Sequence, residues 1–143
     1  QLLALIFGML AVAAGLQNSG AIALLVDGVS PGLAMLPAPL ILFVVFVMTS
    51  TLTEIVSNNA VAVIMTPIAI SLGAALGLDP RPLVVAVMIA ASCAFATPIG
   101  YQTNTLVYGP GGYKFSDFMK VGISLNLSVA ILASLVIPFI WPL

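Results

Sequence analysis

The sequence has no histidine, a single cysteine and very little charge: three basic and four acidic side chains in 143 residues. Without histidine, the usual general base and the commonest metal ligand are gone. Cys93 stands alone inside an apolar run, so neither a disulfide within the chain nor a cysteine metal site can be built. Three scattered Lys and Arg residues form no basic patch to meet phosphates, which excludes nucleic acid as a partner. A soluble domain carries roughly 25% charged residues, whereas this chain carries 5%. So few charges cannot cover a water-soluble surface. What is present is apolar: 62% of the residues are hydrophobic and the mean hydropathy is +1.30. The chain reads as an all-α, multi-pass integral membrane protein, because isolated strands cannot satisfy their backbone in lipid.

Five apolar segments divide the chain. Leu2–Leu16 ends in "QNSG" and is followed by Ala21–Val26. Together they are expected to form a transmembrane helix with a short extension over 1–26. A Pro- and Gly-rich connector, 27–39, follows. Leu40–Val56 and Ala60–Leu78 form a helical hairpin over 40–78, and "DPRP" (79–82) reads as a turn. An interrupted helix is expected over 83–109, beginning with the apolar Leu83–Ala96, then an interfacial helix over 113–120 and a transmembrane helix over 121–143. Crossing a bilayer takes roughly 20 apolar residues; the segments from Leu40 to Ala96 are at or below that, which points to re-entrant or broken helices. Lys114 and Lys120 share one loop, which the positive-inside bias places in the cytoplasm, with Tyr108, Tyr113 and Trp141 near the membrane surfaces. Gln1 is not methionine and the opening run lacks a basic flank and a cleavage site, so that run reads as a span of a longer protein.

Two polar knots interrupt this apolar chain. The first is "TEIVSNNAVAVIMTP" (Thr53–Pro67). If both hairpin helices cross fully, Ser57, Asn58 and Asn59 are an aqueous turn. If they enter halfway, bare carbonyls of one helix and bare N–H groups of the next lie side by side in the membrane. That pairing offers adjacent half-sites for a cation and an oxyanion. The second knot is "FATPIGYQTNT" (Phe95–Thr105). Pro98 removes a helix hydrogen bond and Gly100 loosens the backbone, while Thr97, Gln102, Thr103 and Asn104 offer polar groups. An unwound stretch and a simple proline kink both satisfy this pattern.

Together these motifs resemble the divalent-anion:sodium symporter family. "LTEIVSNNAVAVIMTPIA" is similar to its outer re-entrant hairpin, whose tip reads Ser-Asn-Thr. "FATPIGYQTNTLVYGPGGYKFSDFMKVG" is similar to its interrupted helix with an Ala-Thr-Pro core, nearest the bacterial and algal sulfate/dicarboxylate branch. The resemblance covers essentially the whole chain, as the C-terminal half of an inverted-repeat transporter. It implies sodium ligands at Thr53, Val56 (carbonyl), Asn58 and Ala96 (carbonyl). It also implies substrate contacts at Ser57, Asn58, Asn59, Thr97 and Pro98. Asn59 stands where the family has threonine. Implied partners are sodium as coupling ion, a small divalent anion (sulfate or a C4-dicarboxylate), membrane lipid and a second copy in a homodimer that works as an elevator. The missing N-terminal half would complete the site, and the location would be a bacterial inner membrane. No further cofactor is expected.

Other residues carry less. Glu54 is the only acid within an apolar segment, and intramembrane carboxylates are functional by default; structural support of the hairpin and proton carriage are both open. Gly73 and Gly77 have the spacing of close helix packing. Gly109–Gly112 reads as the turn closing the broken helix, and Asn126 and Ser128 as interhelical hydrogen bonders. A permease for arsenite, citrate or protons with the same hairpin is the nearest alternative. With no histidine, acid pair or Ser/Lys dyad, an intramembrane hydrolase lacks a base, so the chain is not expected to be an enzyme. A structural membrane subunit without substrate is the remaining alternative.

Overall fold

The computed structural model describes residues 2–142, apart from the side chains of Leu2, Leu5, Ile6 and Met9. Gln1 and Leu143, at the outer ends of the first and last expected spans, lie outside the described residues. Seven α-helices follow in order: α1 (Leu2–Asn18), α2 (Ala21–Leu33), α3 (Ala38–Thr53), α4 (Asn58–Leu76), α5 (Pro80–Ala90), α6 (Gln102–Tyr108) and α7 (Phe115–Ile140). At 1.5 Å per residue, α4 is about 28 Å long, α7 about 39 Å and α5 only about 16 Å. By length and composition α4 and α7 can each cross a membrane, and α1 with α2 makes a third candidate bent by 69°.

The helix boundaries follow local chemistry that the apolar runs alone do not display. Gly20 takes a left-handed φ of 73° and turns the chain between α1 and α2. α2 then runs through Pro31 to Leu33, so most of the expected connector is helical and only Ala34–Pro37 link α2 to α3. Pro31 lies inside α2 and forfeits one helical N–H bond without ending the helix before Leu33. α4 ends at Gly77, whose φ of 68° makes a left-handed C-cap bonded to Ala74 and Gly73. Gly77 therefore ends a helix, and open space surrounds the position of its missing Cβ, whereas a Cβ added at Gly73 would stand 3.1 Å from Pro80 Cα. The expected turn at 79–82 is instead the start of α5. Asp79 Oδ1 accepts from the Arg81 N–H at 2.9 Å. Pro80 and Pro82 occupy first-turn positions whose N–H groups have no helical partner in any case.

The separate helices expected over 113–120 and 121–143 are one continuous helix, α7. Lys114 N–H donates to Asp117 Oδ2 at 2.9 Å, which starts the helix at Phe115; past that cap no proline or unpaired turn interrupts it until Pro138. Tyr108 and Tyr113 both pack edge-on against Phe118, with centroids 5.9 Å apart, and fold the α6–α7 turn onto the start of α7.

Three helices make the centre. α5 packs against α4, α3 and α7, while α2 covers α4. Leu42, Phe46, Val61, Leu83 and Val87 are completely buried there. Much of the remaining interface is alanine: Ala86, Ala90, Ala91, Ala94, Ala130 and Ala133 are all buried. Small residues let helix backbones approach closely, which matters where lipid is as apolar as the side chains. Large apolar side chains, including Phe7, Leu24, Met35 and Phe139, point outward, as lipid-facing surfaces require and water-facing ones do not.

Candidate functional site

The turn between α3 and α4 is only four residues, Glu54–Ser57. Polar side chains begin a full turn earlier, but most satisfy themselves. Thr49 donates to Val45 O at 2.7 Å, and Ser50 and Thr51 both donate to Val47 O, at 3.2 and 2.7 Å. Such back-bonding to the preceding turn is how hydroxyls survive inside a helix. Thr53 and Glu54 differ: both are buried, and both reach out of their own helix.

Thr53 Oγ1 lies 2.7 Å from Asn58 Oδ1 and 2.9 Å from Ala91 O. A hydroxyl has one proton to give, so three oxygens converge where one hydrogen bond can be donated. Such a cluster suits either an Asn58 amide turned to present its NH2, or a hard cation that oxygens ligate. The Val56 carbonyl has no hydrogen-bond partner among the described residues.

Glu54 ties the hairpin to the interruption between α5 and α6. Its Oε1 accepts from Ala96 N–H at 2.7 Å and from Asn126 Nδ2 at 3.0 Å, and its Oε2 accepts from Thr97 N–H at 2.8 Å. Thr97 Oγ1 donates to Glu54 O at 3.1 Å and accepts from Gly100 N–H at 2.9 Å. Asn126 thus bonds across helices, as its position suggests, while Ser128 donates within α7 to Ser124 O. The other polar atom of Asn126, Oδ1, is buried without a partner among the described residues.

Residues 91–101 are unwound, not merely kinked. Their backbone is received by side chains: Asn104 Nδ2 donates to Ala94 O at 2.9 Å and Thr97 O at 3.0 Å, and Thr105 Oγ1 donates to Pro98 O at 2.8 Å. α7 comes unusually close, because a Cβ on Gly122 would overlap Phe95 O and Ala96 Cα. Sequence reading missed Gly122; it lies one helical turn before Asn126, so both face the break, and that i, i+4 pairing is the signal that could have found it.

The hairpin tip and the break line one polar cleft of about 590 Å³, formed by Ile55–Asn59, Ser92 and Ile99–Gln102. Across it stands the start of α4. Ser57 is the N-cap yet makes no capping bond, and the N–H groups of Asn58, Asn59 and Ala60 have no partner among the described residues. Serine is a preferred cap, so its idleness leaves a helix N-terminus open toward the cleft. The structure thus brings Thr53, Val56, Ser57, Asn58 and Asn59 together at one end of the hairpin. Ala96 and Thr97 adjoin it through Glu54, but Thr97 and Pro98 do not line the cleft: the Thr97 N–H and hydroxyl are already bonded, and Pro98 is buried. Gln102, one of the polar groups of the second knot, lines it, and Ser92 and Tyr101 line it without having been expected.

A profile described as citrate transporter matches residues 1–143. The chain belongs to this family, and to its divalent-anion:sodium symporter type. It is 39% identical over 96% of its length to an uncharacterized transporter of Synechocystis sp., covering 22% of that protein. It is 35% identical over 94% of its length to the sodium-dependent dicarboxylate transporter SdcS of Staphylococcus saprophyticus, covering 26% of it. With sodium/sulfate cotransporter 1 of Chlamydomonas reinhardtii the identity is 37% over 68% of this chain and 11% of that one. The chain therefore spans about a quarter or less of these relatives, not half of their length. The family is one of transporters.

Proposed function

We propose that this chain supplies one half-site of a sodium-coupled symporter that takes up a small divalent anion, sulfate or a C4-dicarboxylate. The observation that carries the reading is the uncapped start of α4, opening on a polar cleft beside a cluster of converging oxygens. Sodium is held by Thr53 Oγ1, Asn58 Oδ1 and the Val56 and Ala96 carbonyls, all hard oxygen ligands. Binding it relieves the crowding of oxygens around Thr53 and fixes the Asn58 side chain. The anion then docks on the open N–H groups of α4 and on Ser57, Asn58 and Asn59. No charged side chain lines the cleft. Among the described residues the positive elements that face it are the helix end and the adjacent cation, which makes anion affinity depend on sodium. Thr97 and Pro98 serve the site from behind the cleft lining and not as direct contacts.

In this reading the hairpin is re-entrant, a matching half-site comes from outside this chain, and a homodimer in a bacterial plasma membrane carries the site across as an elevator. Citrate is the second reading, favoured by the family description. The test is uptake of labelled sulfate, succinate and citrate by the full-length protein in liposomes, with a sodium gradient or a proton gradient. Sodium-driven uptake of sulfate or succinate, abolished in Asn58→Ala, is expected. Proton-driven citrate uptake, or normal transport by Asn58→Ala, refutes it.

A further inference from the structure

Resting on that reading, we infer that Glu54 is a positioning residue that aims the Ala96 carbonyl into the cation site and so sets the affinity for sodium. Peptide units are planar and trans, and none here is cis. In a trans unit the C=O of one residue and the N–H of the next point in opposite directions. Glu54 Oε2 holds the Thr97 N–H at 2.8 Å, which turns the Ala96 C=O away from the carboxylate. Oε1 holds the Ala96 N–H at 2.7 Å, so both peptide planes flanking Ala96 are fixed by one side chain. An unwound segment has no helical ladder to orient its carbonyls, and here Glu54 replaces it.

Two further features are built around this clamp. Gly100 lies over it, and a Cβ there would stand 2.8 Å from Glu54 Oε2. On the far side Asn126 of α7 donates to Oε1 at 3.0 Å, bracing the carboxylate from a third helix. Thr53, a proposed sodium ligand, is the residue immediately before Glu54. The clamp therefore fixes the distance between the ligands on the hairpin and the ligand on the break. The anion's contacts lie beyond it, on the start of α4, and do not pass through Glu54. The clamp acts on the cation first and on the anion only through the cation.

The experiment separates those two effects in the full-length protein in liposomes. Sodium dependence and anion KM at saturating sodium are measured for Glu54→Gln, Glu54→Asp and Asn126→Ala. Gln exchanges one acceptor oxygen for an NH2 that faces an N–H, and Asp keeps the charge but is one carbon too short to hold both peptides. Each is expected to raise the half-saturating sodium concentration about tenfold or more, the cost of a lost charge-assisted bond. Anion KM at saturating sodium is expected to change less than about twofold. Asn126→Ala leaves both peptide bonds to Glu54 in place and is expected to shift sodium dependence less than about threefold. If Glu54→Gln does not assemble, Glu54→Asp decides the matter alone. Sodium half-saturation within about threefold of the parent, or equal losses in sodium and anion affinity, overturns the inference. Asn58→Ala keeps the two readings apart. If it transports normally the symporter reading fails; if it is inactive while the Glu54 variants bind sodium normally, only the role of Glu54 fails.

Discussion

The hairpin tip and the unwound break face each other across one cleft, yet they treat their backbone in opposite ways. In the break, side chains from other parts of the chain receive several of the main-chain polar groups. Asn104 takes two carbonyls, Thr105 one, and Glu54 two N–H groups. At the tip the first turn of α4 is left bare and Ser57 does not cap it. Backbone that is satisfied by side chains is rigid and costly to disturb, while backbone left open is free to meet a ligand. In the proposed reading the tip then offers the open groups that meet the anion, while the break, held by side chains, keeps its one sodium ligand in place.

The largest test of that division is Gly122→Ala. The added methyl would overlap the Phe95 carbonyl, which is backbone and cannot swing aside. A loss of about 3 kcal/mol or more is expected, at the upper end of overpacking costs, seen as a lower melting temperature of the purified full-length protein. Gly109→Ala, with nothing within 4 Å, is the control and leaves the transition within a degree or two. A stable, active Gly122→Ala would mean that the break is mobile, and the contrast with the tip would vanish. Next in size is Asn104→Asp, which keeps the shape but replaces the two donations to Ala94 O and Thr97 O with acceptors facing acceptors. About 2 kcal/mol of stability is expected to be lost, with sodium dependence and anion KM worsening together because the whole break loosens. A selective loss of anion affinity alone would instead place Asn104 among the ligands.

Much of this arrangement was legible in the residues, and the rest failed for identifiable reasons. Composition gave the helical membrane class, since seven charges cannot solvate such a surface, and Pro98 with Gly100 marked the unwound stretch. Boundaries read from proline and glycine went astray where position outweighs identity. Pro80 and Pro82 fall in a first turn that needs no N–H, and Pro31 lies inside α2 without ending it before Leu33. Gly77 matched a packing spacing yet serves as a left-handed cap. The resemblance implies a substrate contact at Thr97, but its hydroxyl donates to the Glu54 carbonyl and its N–H to the Glu54 carboxylate, 43 residues earlier. Long-range bonds of that kind leave no periodic trace. The same holds for Gly122, whose role depends on what α7 happens to pass.

The smallest expected effect is also the most diagnostic. At an ordinary N-cap, Ser→Ala removes a side-chain bond to the first-turn N–H groups and costs about 1 kcal/mol. Ser57 makes no such bond, so Ser57→Ala is expected to change stability by less than about 0.5 kcal/mol, the level of a substitution that touches nothing structural. Its effect should fall on the anion: KM is expected to rise about tenfold, the worth of one hydrogen bond to a charged ligand, with sodium half-saturation unchanged. A full capping penalty in the melting curve would show that the hydroxyl closes α4 on itself. The tip would then be as self-satisfied as the break, and the open helix end would no longer distinguish the side of the cleft that binds.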